Sequence, residues 1–112
     1  HYGVELSGAV LAYGDHRGLP ELREHITAAA PGCGAEHVLC TPGAAAALFF
    51  VATSVLSAGD HALVQHTNYA TNLETPRLLG ADVTPVELHL DDGFALDLDH
   101  LAAQVRRSTA LI

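Results

Sequence analysis

Hydrophobic and polar positions change rhythm several times along these 112 residues, and each change marks an element. Leu22 and Ile26 stand one helical turn apart behind Pro20, a residue tolerated at a helix start because its missing N–H would be unpaired there anyway. Glu21 and Glu24 lie near the positive end of that helix, and Pro31-Gly32 closes it. Residues 38–41 read as a short strand, and Gly43 permits a sharp turn into a helix over 44–57. That helix is apolar on every face, which predicts burial all round. Gly59-Asp60 ends it, and residues 61–65 form the next strand. A shorter helix precedes Gly80, with Pro76 required in its first turn or at a kink. Residues 82–88 read as a third strand, followed by the turn Asp91-Asp92-Gly93. Asp97 suits an N-cap, Leu96 and Leu101 are spaced as a hydrophobic staple, and residues 109–112 begin another strand.

Strands alternating with helices through short links predict an α/β fold with a mainly parallel sheet and helices on both faces. An apolar strand in last place predicts an unfinished sheet. Residues 1–18, with Gly3, Gly8, Gly14 and Gly18, read as an irregular N-terminal arm, and residues 19–112 as the domain proper.

Composition narrows the function classes. A hydrophobic content of 49% fits a folded α/β protein, and a net charge of -8 argues against nucleic acid or an anionic membrane as partner. A bound phosphate would therefore depend on backbone N–H groups and a helix dipole. The apolar run 43–56 is too short to span a bilayer, and cytoplasm is the expected location. The two cysteines, Cys33 and Cys40, match no usual zinc or redox spacing. The eight histidines are scattered without helical pairing or an evident carboxylate partner, so no metal site is expected. His66, three residues before Tyr69, is the one histidine kept as a possible site neighbour. Asp91, Asp92, Asp97 and Asp99 have turn and cap spacing rather than that of a calcium loop.

Three stretches could carry chemistry. In Thr41-Pro42-Gly43-Ala44-Ala45, small residues at a helix start let a phosphate approach unpaired N–H groups, although tight packing alone would use the same residues. Tyr69 follows a strand, emerging at the carboxyl ends of the strands where ligands of open parallel sheets sit, and its ring could cover a planar heterocycle or simply pack. The third stretch is Tyr13-Gly14-Asp15-His16-Arg17-Gly18-Leu19-Pro20-Glu21-Leu22-Arg23, an arm leading into a helix.

Taken in order with TPGAAAAL, LSAGDHALVQ, the NY loop, RLLGAD and DDGFALDLDHL, these motifs resemble the fold type I pyridoxal-phosphate enzymes, the class I/II aminotransferase family. The resemblance runs from about residue 13 to the end. The stretches HTNYATNLETPRLLGAD and DDGFALDLD are similar to the branch around capreomycidine-synthase-like enzymes. It implies a partial aspartate-aminotransferase-like large domain, pyridoxal 5'-phosphate as cofactor, an amino-acid substrate and a homodimer. Gly43, Ala44 and Ala45 then match the phosphate cradle, Tyr69 the aromatic stacked on the pyridine ring, and Tyr13 the tyrosine reaching the neighbouring subunit's phosphate. Many relatives place Ser, Thr or Lys in the cradle, where this chain offers alanine.

All five basic residues are arginines, so the family's cofactor-binding lysine has no counterpart here, and no catalytic residue is assigned within the chain. The family's Asn-Pro asparagine, pyridine-pairing aspartate and carboxylate-binding arginine correspond to positions after Ile112. The expected role is the N-terminal portion of such an enzyme. The alternatives are a non-catalytic binding or dimerisation module of the same fold, and a small nucleotide-binding α/β domain, for which no GxGxxG or Walker pattern is present.

Overall fold

The computed structural model describes residues 3, 7, 8, 10, 12–30 and 32–112, so His1, the turn residue Pro31 and part of the arm lie outside the described residues. The chain forms two compact units, His1–Thr41 and Pro42–Ile112.

In the first unit, α1 (Pro20–Ala28) begins at its proline, with Glu21 in the first turn and His25 in the last. A 3-10 turn follows at Ala35–His37. The expected strand at 38–41 does not form. Val38 is extended, but the only sheet among the described residues is made of later strands, and the Cys40 N–H donates to the Arg17 carbonyl at 2.8 Å. An extended segment becomes a strand only when a neighbour meets its backbone groups, and here a loop takes one of them.

That loop is held by Arg23, whose guanidinium is almost wholly buried and donates to Asp15, Gly18 and Ala35. The bond from the Arg17 N–H holds the Asp15 carboxyl below its ordinary value of 3.8, opposed in part by burial and joined by the charges of Arg23, Arg17 and His16. A carboxylate with a depressed folded value stabilises the fold above its ordinary range and loses that contribution as pH falls through the folded value. The Asp15 latch should therefore persist across neutral pH and open only below pH 3.8. Hydrogen exchange of the Gly18 amide, which donates to the Asp15 carbonyl, reports on it. Exchange that quickened already between about pH 7 and 5, beyond intrinsic chemistry, would contradict this assignment.

The second unit runs α2 (Ala44–Val55), β1 (His61–His66), α3 (Ala70–Leu78), β2 (Asp82–Glu87), a 3-10 turn (Leu90–Asp92), α4 (Leu98–Gln104) and β3 (Thr109–Leu111). The sheet has the order β2-β1-β3, and both pairings are parallel. Because β2 and β3 flank β1 on opposite sides, right-handed crossovers send α3 and α4 to opposite faces. Ala52 and Leu56 of α2 pack with Ala62 and Ala81, and Val64, Leu79, Val83 and Leu111 close around them. Small side chains at Ala52 and Ala62 let helix and strand approach closely.

Three expectations need correction. The α2 helix is not buried all round: only Ala52 is buried within it, while Leu48, Phe49, Phe50, Val51 and Val55 remain 44–49% exposed. The described residues give it one packing surface, and a helix apolar on every face needs more than one. Pro76 lies in the last turn of α3 rather than the first, and the helix stops two residues later. Asn68 moves the start forward, its side-chain oxygen accepting from the Tyr69 N–H (2.7 Å) and the Asn72 amide (2.8 Å). His61, read as one of the scattered histidines, is fully buried at the head of the central strand. Its Nδ1 pairs with Thr109 Oγ1 at 2.7 Å and its Nε2 with Thr84 Oγ1 at 2.9 Å, tying all three strands together. Arg106 completes the cluster, donating to the Asp82 carboxylate, to Thr84 Oγ1 (3.1 Å) and, through its backbone N–H, to Thr109 Oγ1 (2.7 Å). The Asp97 cap forms as expected, accepting from the His100 N–H at 2.9 Å.

Candidate cofactor site

Gly43 adopts φ 97° and ψ 166°, a backbone region essentially reserved for glycine, and this lets the chain swing directly into α2. A Cβ placed there would meet nothing within 4 Å, so it is the backbone conformation and not crowding that calls for glycine. No side chain caps α2, and no acidic residue lies in its first turn. Ala44 and Ala45 therefore present N–H groups at the positive end of a 12-residue helix whose first turn carries no carboxylate. This is the chemistry an anion requires. Pyridoxal phosphate fits it: the phosphate would sit on the Gly43–Ala45 backbone, and when bound the pyridine ring supplies an electron sink for bond breaking at an amino-acid α-carbon.

Beside the helix start, residues of α2, β1, α3 and β3 line an open pocket of about 260 Å3. Ala45, Leu48 and Val64 contribute apolar wall, while Gln65, Asn68 and Asn72 contribute polar groups. The structure thus brings Ala45 and the Asn68 loop to one cavity. Gly43, Ala44 and Tyr69 do not line it. Tyr69 is the N-cap residue of α3, and its ring is 79% exposed. Tyr13 belongs to the other unit, where its side chain is fully exposed.

Next to this loop, His66 has a partner that the sequence did not reveal. Parallel register sets it beside Glu87, and its Nδ1 lies 2.8 Å from Glu87 Oε2. The two positions are 21 residues apart, so only the strand pairing brings them together. Among the described residues no group of histidine, cysteine and carboxylate side chains could hold a metal ion, and Cys33 and Cys40 are free thiols. No helix of the described residues is long and apolar enough to cross a membrane.

Parallel strands joined by helical crossovers, with a helix start after a glycine turn that no side chain caps, define an α/β domain whose α2 start has the chemistry an anion requires. The family can be stated more closely. The model for "Aminotransferase class I and II" matches residues 4–112, and the chain belongs to this family. It is 25% identical over 108 residues to an aspartate aminotransferase of Sulfurisphaera tokodaii, covering 95% of this chain and 27% of that protein. It is 30% identical over 102 residues to an arginine–pyruvate transaminase of Pseudomonas aeruginosa, covering 87% of this chain and 26% of that protein. Among solved structures, a PLP-dependent aminotransferase from Streptococcus suis superimposes with a TM-score of 0.85 at 30% identity, over 93% of this chain and 28% of that one. An aspartate aminotransferase from Thermotoga maritima gives 0.83 at 27% identity, over 93% and 29%. The chain thus spans just over a quarter of the length of these relatives.

Proposed function

We propose that this chain is the first part of the cofactor-binding large domain of a pyridoxal-phosphate-dependent aminotransferase or close relative acting on an amino acid. The observation that carries the reading is the glycine turn at φ 97° leading into α2, a helix with no side-chain cap and no acidic residue in its first turn, at the position where the family resemblance sets the phosphate cradle. Two further observations support it. The exposed apolar face of α2 calls for cover, and relatives of the family carry several times more chain. The chain also has no lysine, so covalent attachment of the cofactor and proton transfer at the substrate fall to residues outside it.

Each residue then has a defined task. The Ala44 and Ala45 N–H groups hold the phosphate, Gly43 leaves room for it, and Tyr69 lies over the ring and keeps water from that face. Tyr13 donates to the phosphate of the partner subunit, which makes the enzyme a homodimer. The HTNYATNLETPRLLGAD and DDGFALDLD stretches support placement in the capreomycidine-synthase-like branch with a biosynthetic role, and the short apolar run 43–56 supports a cytoplasmic location.

In the full-length protein, Tyr69→Ala should weaken cofactor retention by roughly two- to tenfold, the scale of an aromatic pair worth about 0.5–1.5 kcal/mol. Tyr69→Phe should keep most of it. Equilibrium dialysis against pyridoxal phosphate makes the comparison, and unchanged affinity in the alanine variant would remove Tyr69 from the site.

A further inference from the structure

We infer that Arg23 is the positioning residue for Tyr13, clamping the loop that carries this tyrosine so that it is set in advance for its reach to the partner subunit's cofactor phosphate. The inference rests on the reading above, in which Tyr13 acts across the dimer.

Arg23 sits in α1, on a helix whose composition is largely polar, yet it is only 5% exposed. Burying a guanidinium is costly unless its donors are met. Here they are met by three separate pieces of chain. Nε donates to the Gly18 carbonyl at 3.1 Å, Nη1 to the Ala35 carbonyl at 2.8 Å, and Nη2 to Asp15 Oδ2 at 3.1 Å. The other Asp15 oxygen accepts from the Arg17 N–H at 2.8 Å, and the Gly18 N–H returns to the Asp15 carbonyl at 2.9 Å. From the opposite side, Gly18 at φ 102° lies directly against Cys40. A Cβ at Gly18 would come within 2.5 Å of the Cys40 Cβ, and the Cys40 N–H bonds the Arg17 carbonyl.

The segment 15–18 is therefore fixed to α1, to the 3-10 turn and to Cys40 at once. Tyr13 stands two residues before the start of this clamp with its ring fully in solvent. An exposed tyrosine at the end of a loose arm would lose conformational freedom on reaching a ligand, and that loss subtracts from binding. With residues 15–18 held, only Gly14 separates Tyr13 from fixed chain, so part of that ordering has already occurred in the free chain. The fork of an arginine is required for this, because a lysine's three donors share one nitrogen and cannot reach acceptors set around the separate Nε, Nη1 and Nη2 positions.

The test is a double-substitution cycle in the full-length holo-dimer, reading the dissociation constant of pyridoxal phosphate for wild type, Tyr13→Phe, Arg23→Lys and the double variant, with a thermal melt for each. Tyr13→Phe removes a charge-assisted hydrogen bond and should weaken binding by roughly tenfold or more. Arg23→Lys should weaken it in the same direction, by roughly three- to tenfold, and the double variant should be no weaker than Tyr13→Phe alone. A residue that only stabilised the fold would shift the melt and leave the two effects on affinity independent. If Tyr13→Phe leaves affinity unchanged, the cross-subunit role of Tyr13 falls and the inference falls with it. If Tyr13→Phe weakens binding but Arg23→Lys is silent or fully additive to it, the clamp alone is refuted. Should Arg23→Lys fail to fold, Asp15→Asn, which removes one of the three acceptors, takes its place in the cycle under the same criteria.

Discussion

Replacing Ala44 by proline should weaken pyridoxal phosphate retention in the full-length protein by roughly ten- to a hundredfold, the loss of one charge-assisted hydrogen bond worth about 1.5–3 kcal/mol. The substitution is chosen because the fold accepts it. Ala44 is the first residue of α2, the helical position proline favours most, and its N–H has no intrahelical acceptor to lose. Gly43 before it has an extended ψ of 166°, compatible with a following proline. Helix content by circular dichroism should therefore stay level while dialysis shows the cofactor leaving. Ala44→Gly, which keeps the donor, is the matching control and should retain affinity. A proline variant that binds as tightly as wild type would mean the phosphate does not rest on this helix start.

His61→Ala should cost about 2–4 kcal/mol of folding stability, the range for opening a core cavity while also breaking a buried hydrogen-bonded cluster. The ring is completely excluded from solvent, and both nitrogens are engaged, one with Thr109 and one with Thr84. Deleting it removes a side chain that hydrogen-bonds both outer strands from the central one. Thr84→Val and Thr109→Val each leave one of the two bonds and should cost less, about 1–2 kcal/mol. Urea unfolding of the three variants gives the ranking. An alanine variant within about 0.5 kcal/mol of wild type would show that the cluster is ornament rather than support.

Much of this architecture was legible because local pattern and final structure agree. The proline start of α1, the Gly43 turn, the Asp97 cap and three of the four expected strands rest on signals contained within a few residues. What escaped depends on partners far along the chain. His61 reads as a polar residue opening a strand until residues 23 and 48 positions away are brought beside it. His66 lacked a visible carboxylate because Glu87 reaches it only through parallel register. Residues 38–41 have strand composition, but pairing is a property of two segments and composition describes one. Arg23 has the helical position of a surface residue, and nothing nearby in sequence foretells three acceptors converging on it. The candidate site was legible as residue types and order. The cavity beside Ala45 and the exposed ring of Tyr69 are matters of three-dimensional placement.

The sheet also has a direction, and it separates two kinds of evolutionary freedom. His61, Asp82 and Thr109 are the first residues of their strands, and together with Thr84 and Arg106 they lace the amino ends shut. His66, Glu87 and the Asn68–Tyr69 loop lie at the opposite, carboxyl ends, where half-exposed side chains touch little of the core. Substitutions at the laced end are filtered by whether the domain folds at all. Substitutions at the other end, the Asn68 bonds at the start of α3 apart, meet a weaker filter of this kind. The demand for folding and the room for change thus fall on residues a strand's length apart.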